Sequence, residues 1–308
     1  MLRADKTLKN LYDIIAGYGD TEAAVWLENG EIKSLSYADY MQMTKNYAAY
    51  LRKHIDAEPD SYVVISLDTC KEWFPVFWGI IQAGYNALLV DVNLSDEMVN
   101  FQIRQSGAKA IVTTAQRRKL DPSVRYIDAN QLFAAPETED FVSDQWGDHA
   151  ALCTSGTTGT SRIFDYNGGA IVEQVLSSEL LYHNLKRAVM NRSVRSFAFL
   201  PYHHVFGFIT NLMWSCFLGY SNIYPANRTP QAILETAQKC QPQLLITVPL
   251  VANNFCTSLQ KKLAKESALT RTMFYAMKAV SLGIQAVAPD LGLKIGRASC
   301  RERVFRTV

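Results

Sequence analysis

Residues Cys153 to Arg162 read C-T-S-G-T-T-G-T-S-R, a Ser/Thr/Gly loop between the apolar Ala150-Ala151-Leu152 and a helix-like segment beginning near Gly169. Gly156 and Gly159 let a backbone bend and approach an anion closely, while Thr154, Ser155, Thr157 and Thr158 set hydroxyls beside main-chain N–H donors. The composition suits a polyphosphate. It does not fit the Walker loop, G-x-x-x-x-G-K-[ST], because only two residues separate the glycines and no Lys-Ser or Lys-Thr pair follows the second. The bland alternative is a glycine turn in a hairpin with solvated hydroxyls.

Around this loop, short apolar or β-branched runs alternate with longer helix-period segments, the sequence form of an α/β fold with a mostly parallel sheet. The spacing predicts strands over Tyr62–Leu67, Asn86–Val90, Ala110–Thr113, Ala150–Cys153, Ser196–Leu200, Ser221–Tyr224 and Leu244–Val248. Helices are expected over Lys71–Ala83, Asp96–Gln105, Ala170–Val189, Phe206–Leu218, Pro230–Gln238 and Val251–Lys265. Asn29-Gly30 is a favoured type I′ turn joining the arms Ala24–Leu27 and Ile32–Leu35. Ser36 caps a helix through Leu51, with Asp39 three residues on in near capping-box position. The polar stretch 116–147, with Pro122 and Pro136, is the expected connection between two α/β halves.

At 308 residues and 48% apolar composition the chain can bury a substantial core. Its formal charge of +2 misleads: residues 295–308 hold four Arg and one Glu, a net +3 that leaves about −1 for the rest. No basic stripe argues for nucleic acid. The six cysteines show no C-x-x-C spacing, which suggests reduced thiols in the cytoplasm. The most apolar stretches, Phe74–Val90 and Val205–Tyr220, are shorter than a usual membrane span and carry polar interruptions.

The run T-S-G-T-T-G resembles the phosphate loop of the adenylate-forming (AMP-binding) enzymes, among them acyl-CoA synthetases, aryl-CoA ligases and peptide-synthetase adenylation domains. A second block, Leu200 to Phe208, reads L-P-Y-H-H-V-F-G-F and is similar to the family's P-x-x-H-x-x-G segment. Weaker echoes lie at Leu35-Ser36-Tyr37, at Trp73 through Ala83-Gly84 to Asp91, at Ser106 to Lys109 and at Thr247-Val248-Pro249. The resemblance implies two stacked, doubly wound, mostly parallel sheets, those of the family's N-terminal domain, here incomplete and occupying 1–294. Ile295 to Val304 resembles the translation of a sequencing-library adapter, so 295–308 is expected to be a non-native tail. One departure is plain: family loops continue Pro-Lys-Gly, whereas this chain has Ser161, Arg162 and Ile163. Arg keeps the cation and adds a bidentate fork for phosphate oxygens.

The resemblance also assigns roles. Thr154 to Gly159 with Arg162 would hold the β- and γ-phosphates of ATP, with Mg2+. His204 would position the acid or gate the thiol; a hydrogen-bonded core histidine is the competing reading for it and for His203. Phe206, Gly207 and Phe208 would line an apolar acyl pocket, or belong to the packed face of a helix; the two readings stand level. Leu200–Gly207 contains no acid to pair with an amino group, which favours a fatty or aromatic acid. The family's later Thr-Glu metal motif, its ribose-binding Asp and its C-terminal Lys have no counterpart after Pro249. The expectation is thus a fragment of a fatty- or aromatic-acid:thiol ligase, nearly inactive alone, whose acceptor is coenzyme A or a carrier-protein thiol. Its rivals are a nucleotide- or acyl-binding fragment without catalysis, and an acid-activating ligase that loads an acyl carrier protein.

Overall fold

The computed structural model describes residues 5–136, 141, 143–153, 162–177 and 194–287. Two compact units emerge, Met1–Tyr182 with Arg192–Ile246, and His183–Asn191 with Thr247–Val308.

The first unit opens with helix α1 (Leu8–Ala16), capped by Thr7, whose Oγ1 accepts from the Asn10 N–H at 3.2 Å. Strands β1 (Glu22–Glu28) and β2 (Glu31–Ser36) form the expected antiparallel hairpin. Asn29 and Gly30 at its turn take φ of 51° and 80°, the double left-handed geometry of a type I′ turn. Ser36 then caps α2 (Tyr37–His54). Its Oγ accepts from the Asp39 N–H at 3.1 Å, and the Asp39 carboxylate accepts from the Ser36 N–H at 2.7 Å. This is the reciprocal capping box.

Strand β3 (Tyr62–Ser66) leads into α3 (Trp73–Gln82), in which every residue is buried. A helix apolar on all sides must be covered on all sides. Phe74 stacks on Tyr40 of α2 at 4.7 Å, Trp78 meets Tyr12 of α1 at 5.3 Å, and Phe77 meets Phe208 edge-on at 5.2 Å.

The chain continues through β4 (Asn86–Leu89), α4 (Asp96–Ser106), β5 (Ala110–Thr113), β6 (Arg125–Asp128), α5 (Ala129–Phe133), β7 (His149–Cys153), β8 (Ile163–Asn167) and α6 (Gly168–Ser177). Its strands make a six-stranded sheet in the order β6-β5-β3-β4-β7-β8, parallel except for the β7–β8 pair. From β3 the chain moves to its neighbour β4 through α3, and from β4 it returns past β3 to β5 through α4. Right-handed crossovers in opposite directions put the two helices on opposite faces. Val99 and Ile103 of α4 accordingly pack on Val64, Leu88 and Ile111. The adjacent carboxyl ends of β3 and β4 therefore diverge, the topology that opens a ligand crevice.

A second sheet, β2-β1-β10-β9, joins the hairpin to β9 (Arg195–Phe197) and β10 (Ser221–Tyr224), with β1, β10 and β9 mutually parallel. Val25, Phe197 and Ile223 on one face bury Cys240 and the apolar side of the helix Pro230–Cys240. Two mostly parallel sheets flanked by helices are the α/β class expected.

Several elements differ from expectation. Within 116–147, Arg125–Asp128 forms β6, pairing with β5, and α5 follows. A four-residue edge strand with only Ile127 buried carries too little apolar signal to stand out. Leu244–Val248 does not form a strand; Leu244 alone bridges to Ser196, because Pro249 opens a helix with Val248 at its N-cap. The helix expected over Phe206–Leu218 is present over residues 205–217, but Gly207–Trp214 winds as a π-helix. Of the helix expected over Ala170–Val189, the part beyond Ser177 lies outside the described residues, as do 288–308. Among its described residues the second unit contributes two helices, Pro249–Lys265 and Ala268–Val287.

The capping box gives a direct test: Ser36→Ala should lower unfolding stability by about 1 kcal/mol, read as a shift in the urea midpoint at unchanged slope.

Candidate functional site

Thr154, Ser155, Gly156, Thr157, Thr158 and Gly159 lie outside the described residues; their frame does not. Strands β7 and β8 run antiparallel with Cys153 opposite Ile163 as the last pair, so the loop sequence joins the two arms of a hairpin. Strand β7 is parallel to β4, which puts Cys153 at the carboxyl edge of the sheet. Arg162 immediately precedes β8, is exposed, and borders an open depression with Gln105, Ile163 and Phe164. A hairpin frame is common to the bland reading and to a phosphate clamp.

The second block lies at the carboxyl end of β9. His203 is buried, with 8% of its surface exposed, whereas its neighbour His204 is exposed. Their ring centroids are 4.3 Å apart. Asp91, two residues beyond β4, brings a carboxylate oxygen to 3.6 Å from His203 Nε2. The other oxygen of Asp91 accepts from the Asn93 backbone N–H and from Asn93 Nδ2, each at 3.0 Å. The turn that carries it is pinned by Arg117, whose side chain is largely covered and whose Nη2 donates to the Val92 carbonyl at 2.8 Å and Nη1 to the Leu94 carbonyl.

A second link ties β3 to the same segment. Thr69 Oγ1 donates to the Leu200 carbonyl at 3.3 Å, and Arg228 Nη2 lies 3.4 Å from Thr69 Oγ1 and 4.0 Å from Asp68. The carboxyl ends of β3 and β4 in one sheet thus meet those of β9 and β10 in the other.

The electrostatics follow from burial. Desolvation pushes the His203 pKa from 6.5 down to about 4; Asp91 favours the charged ring but does not offset the burial. For Asp91, burial opposes ionisation, yet the hydrogen bonds from Asn93 and the nearby His203 outweigh it and hold the carboxyl below its usual range. At neutral pH the pair is a neutral imidazole beside a carboxylate.

Phe206 is 38% exposed beside His204, while Phe208 is fully buried against Trp73 and Phe77. Gly207 permits close approach of this helix to the preceding segment: a Cβ there would lie 2.1 Å from the Pro201 carbonyl oxygen. Of the sequence-selected residues, the structure packs His203 against His204, leaves Phe206 exposed and sends Phe208 to the core. Sequence reasoning did not select Asp91, Thr69, Arg117 or Arg228. A polar residue closing an apolar strand, as Asp91 closes N-A-L-L-V, is the signal that could have found the first.

The sequence profile of the AMP-binding enzyme family matches residues 11–304. The chain belongs to that family. As an AMP-binding enzyme it is 25% identical over 197 residues to 2-succinylbenzoate–CoA ligase of Oceanobacillus iheyensis, covering 61% of this chain and 38% of the ligase. It is 24% identical over 214 residues to N-(5-amino-5-carboxypentanoyl)-L-cysteinyl-D-valine synthase of Amycolatopsis lactamdurans, covering 65% of this chain and 6% of the synthase. The o-succinylbenzoate CoA synthetase of Bacillus subtilis, solved with its acyl-adenylate intermediate, superposes with a TM-score of 0.67 at 20% identity over 82% of this chain and 64% of that one. The same synthetase has been solved with AMP and with ATP and magnesium ion. The chain therefore spans well under two thirds of the curated relatives it matches. Its fold is that of these enzymes.

Two outcomes are expected. Because the unfolded chain protonates His203 near pH 6.5 and the folded one only near pH 4, this contribution to stability is complete above pH 6.5 and is lost as pH falls to 4. Its size is on the order of 3 kcal/mol, and His203→Asn should flatten the change in urea midpoint between pH 7 and pH 5. Gly207→Ala should destabilise by about 1–3 kcal/mol through overpacking against Pro201, visible as a lower thermal midpoint.

Proposed function

We propose that this AMP-binding chain carries the ATP- and acid-binding portion of an AMP-forming acyl-acid ligase. A carboxylate oxygen attacks the α-phosphorus of ATP, the new P–O bond forms as the bond to pyrophosphate breaks, and acyl-AMP results. A thiol then attacks the acyl carbon and AMP departs with the bonding electrons. The observation that carries this reading is that β7, the strand after which T-S-G-T-T-G follows in sequence, runs parallel to β4 and ends at the carboxyl edge of the sheet. Ligands settle at that edge in open α/β sheets.

The first step brings several negative charges together, so positioning and charge neutralisation dominate. Thr154, Ser155, Thr157 and Thr158 supply hydroxyls, Gly156 and Gly159 let main-chain N–H groups approach, and Arg162 supplies a cation for the β- and γ-phosphates. His204, exposed beside Phe206, orients the acid carboxylate. Among the described residues no group of three His, Cys, Asp or Glu could hold a metal ion. They do not by themselves supply a magnesium site.

The acid is aromatic or fatty: Leu200–Gly207 offers no carboxylate for an amino group, and exposed Phe206 offers an apolar surface. Coenzyme A is the acceptor favoured by the likeness to aryl-CoA ligases; a carrier-protein thiol is the alternative, favoured by the likeness to peptide synthetases. A ligand-binding role without turnover is the second reading. Among the described residues no helix is long and apolar enough to cross a membrane. The described cysteines are free thiols, which suits a reducing compartment, and we place the reaction in the cytoplasm.

Calorimetry with ATP, followed by ATP–pyrophosphate exchange with a panel of benzoic and fatty acids, separates these readings. ATP binding with exchange supports the ligase, and binding without exchange supports the second reading. Thr158→Ala should weaken ATP binding about tenfold, the loss of one hydrogen bond to a charged group; unchanged affinity would remove the loop assignment.

A further inference from the structure

His203 and His204 are adjacent in sequence and opposite in environment, one buried and one exposed. A buried neutral imidazole beside a carboxylate is a costly way to fill space, which an apolar residue would do better. The carboxylate is itself held. One oxygen of Asp91 is fixed by two hydrogen bonds from Asn93, and the turn behind it is fixed by Arg117. The free oxygen faces His203 Nε2 at 3.6 Å, too long for a hydrogen bond but close enough to favour the tautomer whose N–H points at it. The ring so oriented lies against His204, with centroids 4.3 Å apart and planes at 54°.

We propose that Asp91 and His203 are positioning residues that fix the ring of His204 toward the acyl side of the bound adenylate. The inference rests on the ligase reading above, in which His204 meets the acid. An exposed imidazole ordinarily samples several rotamers and loses that freedom when it binds. A ring braced from behind has already lost it. Asp91 stands just beyond β4 of the six-stranded sheet and His203 on the segment following β9 of the other, so the brace also sets His204 relative to both sheets. Asp68 and Arg228, which also act on His203 electrostatically, lie on the neighbouring carboxyl ends.

The test uses the 308-residue chain, with AMP and 5′-O-(N-benzoylsulfamoyl)adenosine, a stable mimic of an aroyl adenylate, as calorimetric probes. Asp91→Asn should weaken the acyl mimic about three- to tenfold, the cost of immobilising one freed side chain, and leave AMP within about twofold. Asp91→Glu should recover part of the loss, and His203→Gln should reproduce it. In the ligand-free chain, Asp91→Asn should move the Cε1–Hε1 resonances of both histidines. An acyl mimic bound equally well by wild type and Asp91→Asn overturns the proposal, as does equal weakening of both ligands. If wild type binds neither adenosine ligand, the ligase reading falls, and the resonances decide the brace: an unmoved His204 signal overturns it.

Discussion

Helix α3 must be covered on every side, and that requirement organises the first unit. Its ten residues include Trp73, Phe74, Phe77 and Trp78, all buried. Fully burying a large apolar side chain is worth about 1.5–3 kcal/mol, and no single layer can cover a helix all round. Tyr12 from α1, Tyr40 from α2, and Tyr202 and Phe208 from the segment after β9 supply the cover. Parts of the chain more than a hundred residues apart are thereby held in one core.

The same packing sets the candidate site. Tyr202 and Phe208 belong to the block L-P-Y-H-H-V-F-G-F, so the residues that close the core on Trp73 and Phe77 bracket His203 and His204. The block is anchored at both ends, and Gly207 lets the helix start pack tightly against the Pro201 carbonyl. Burial on one side leaves His203 facing Asp91, while His204 faces outward. The crevice at this edge follows from connections leaving β3 and β4 toward opposite faces, not from anything unusual in the histidines.

Local signals were legible where they are short-range. The Asn29-Gly30 turn, the Ser36/Asp39 capping box and the apolar strands β3, β4, β5, β7 and β10 are each fixed by a few neighbouring residues. Strand β6 was not legible, because an edge strand with one buried side chain needs no apolar pattern. The Leu244–Val248 run was misleading in the opposite sense: apolar composition alone does not make a strand when a helix begins at Pro249. The site divided similarly. Loop and histidine block were visible as patterns, whereas Asp91, Thr69, Arg117 and Arg228 come from separate stretches and acquire meaning only where strands end side by side.

By itself, the amino-acid sequence determined the α/β class, the hairpin, the caps and the two blocks that resemble adenylate-forming enzymes, because propensity, turn chemistry and short motifs act over a few residues. The tertiary structure decided which strands share a sheet, with the N-terminal hairpin beside β10 rather than β3. It also decided that His203 is buried against a carboxylate while His204 is exposed. Both outcomes follow from covering apolar surface at long range, a constraint on the whole chain that no local window contains.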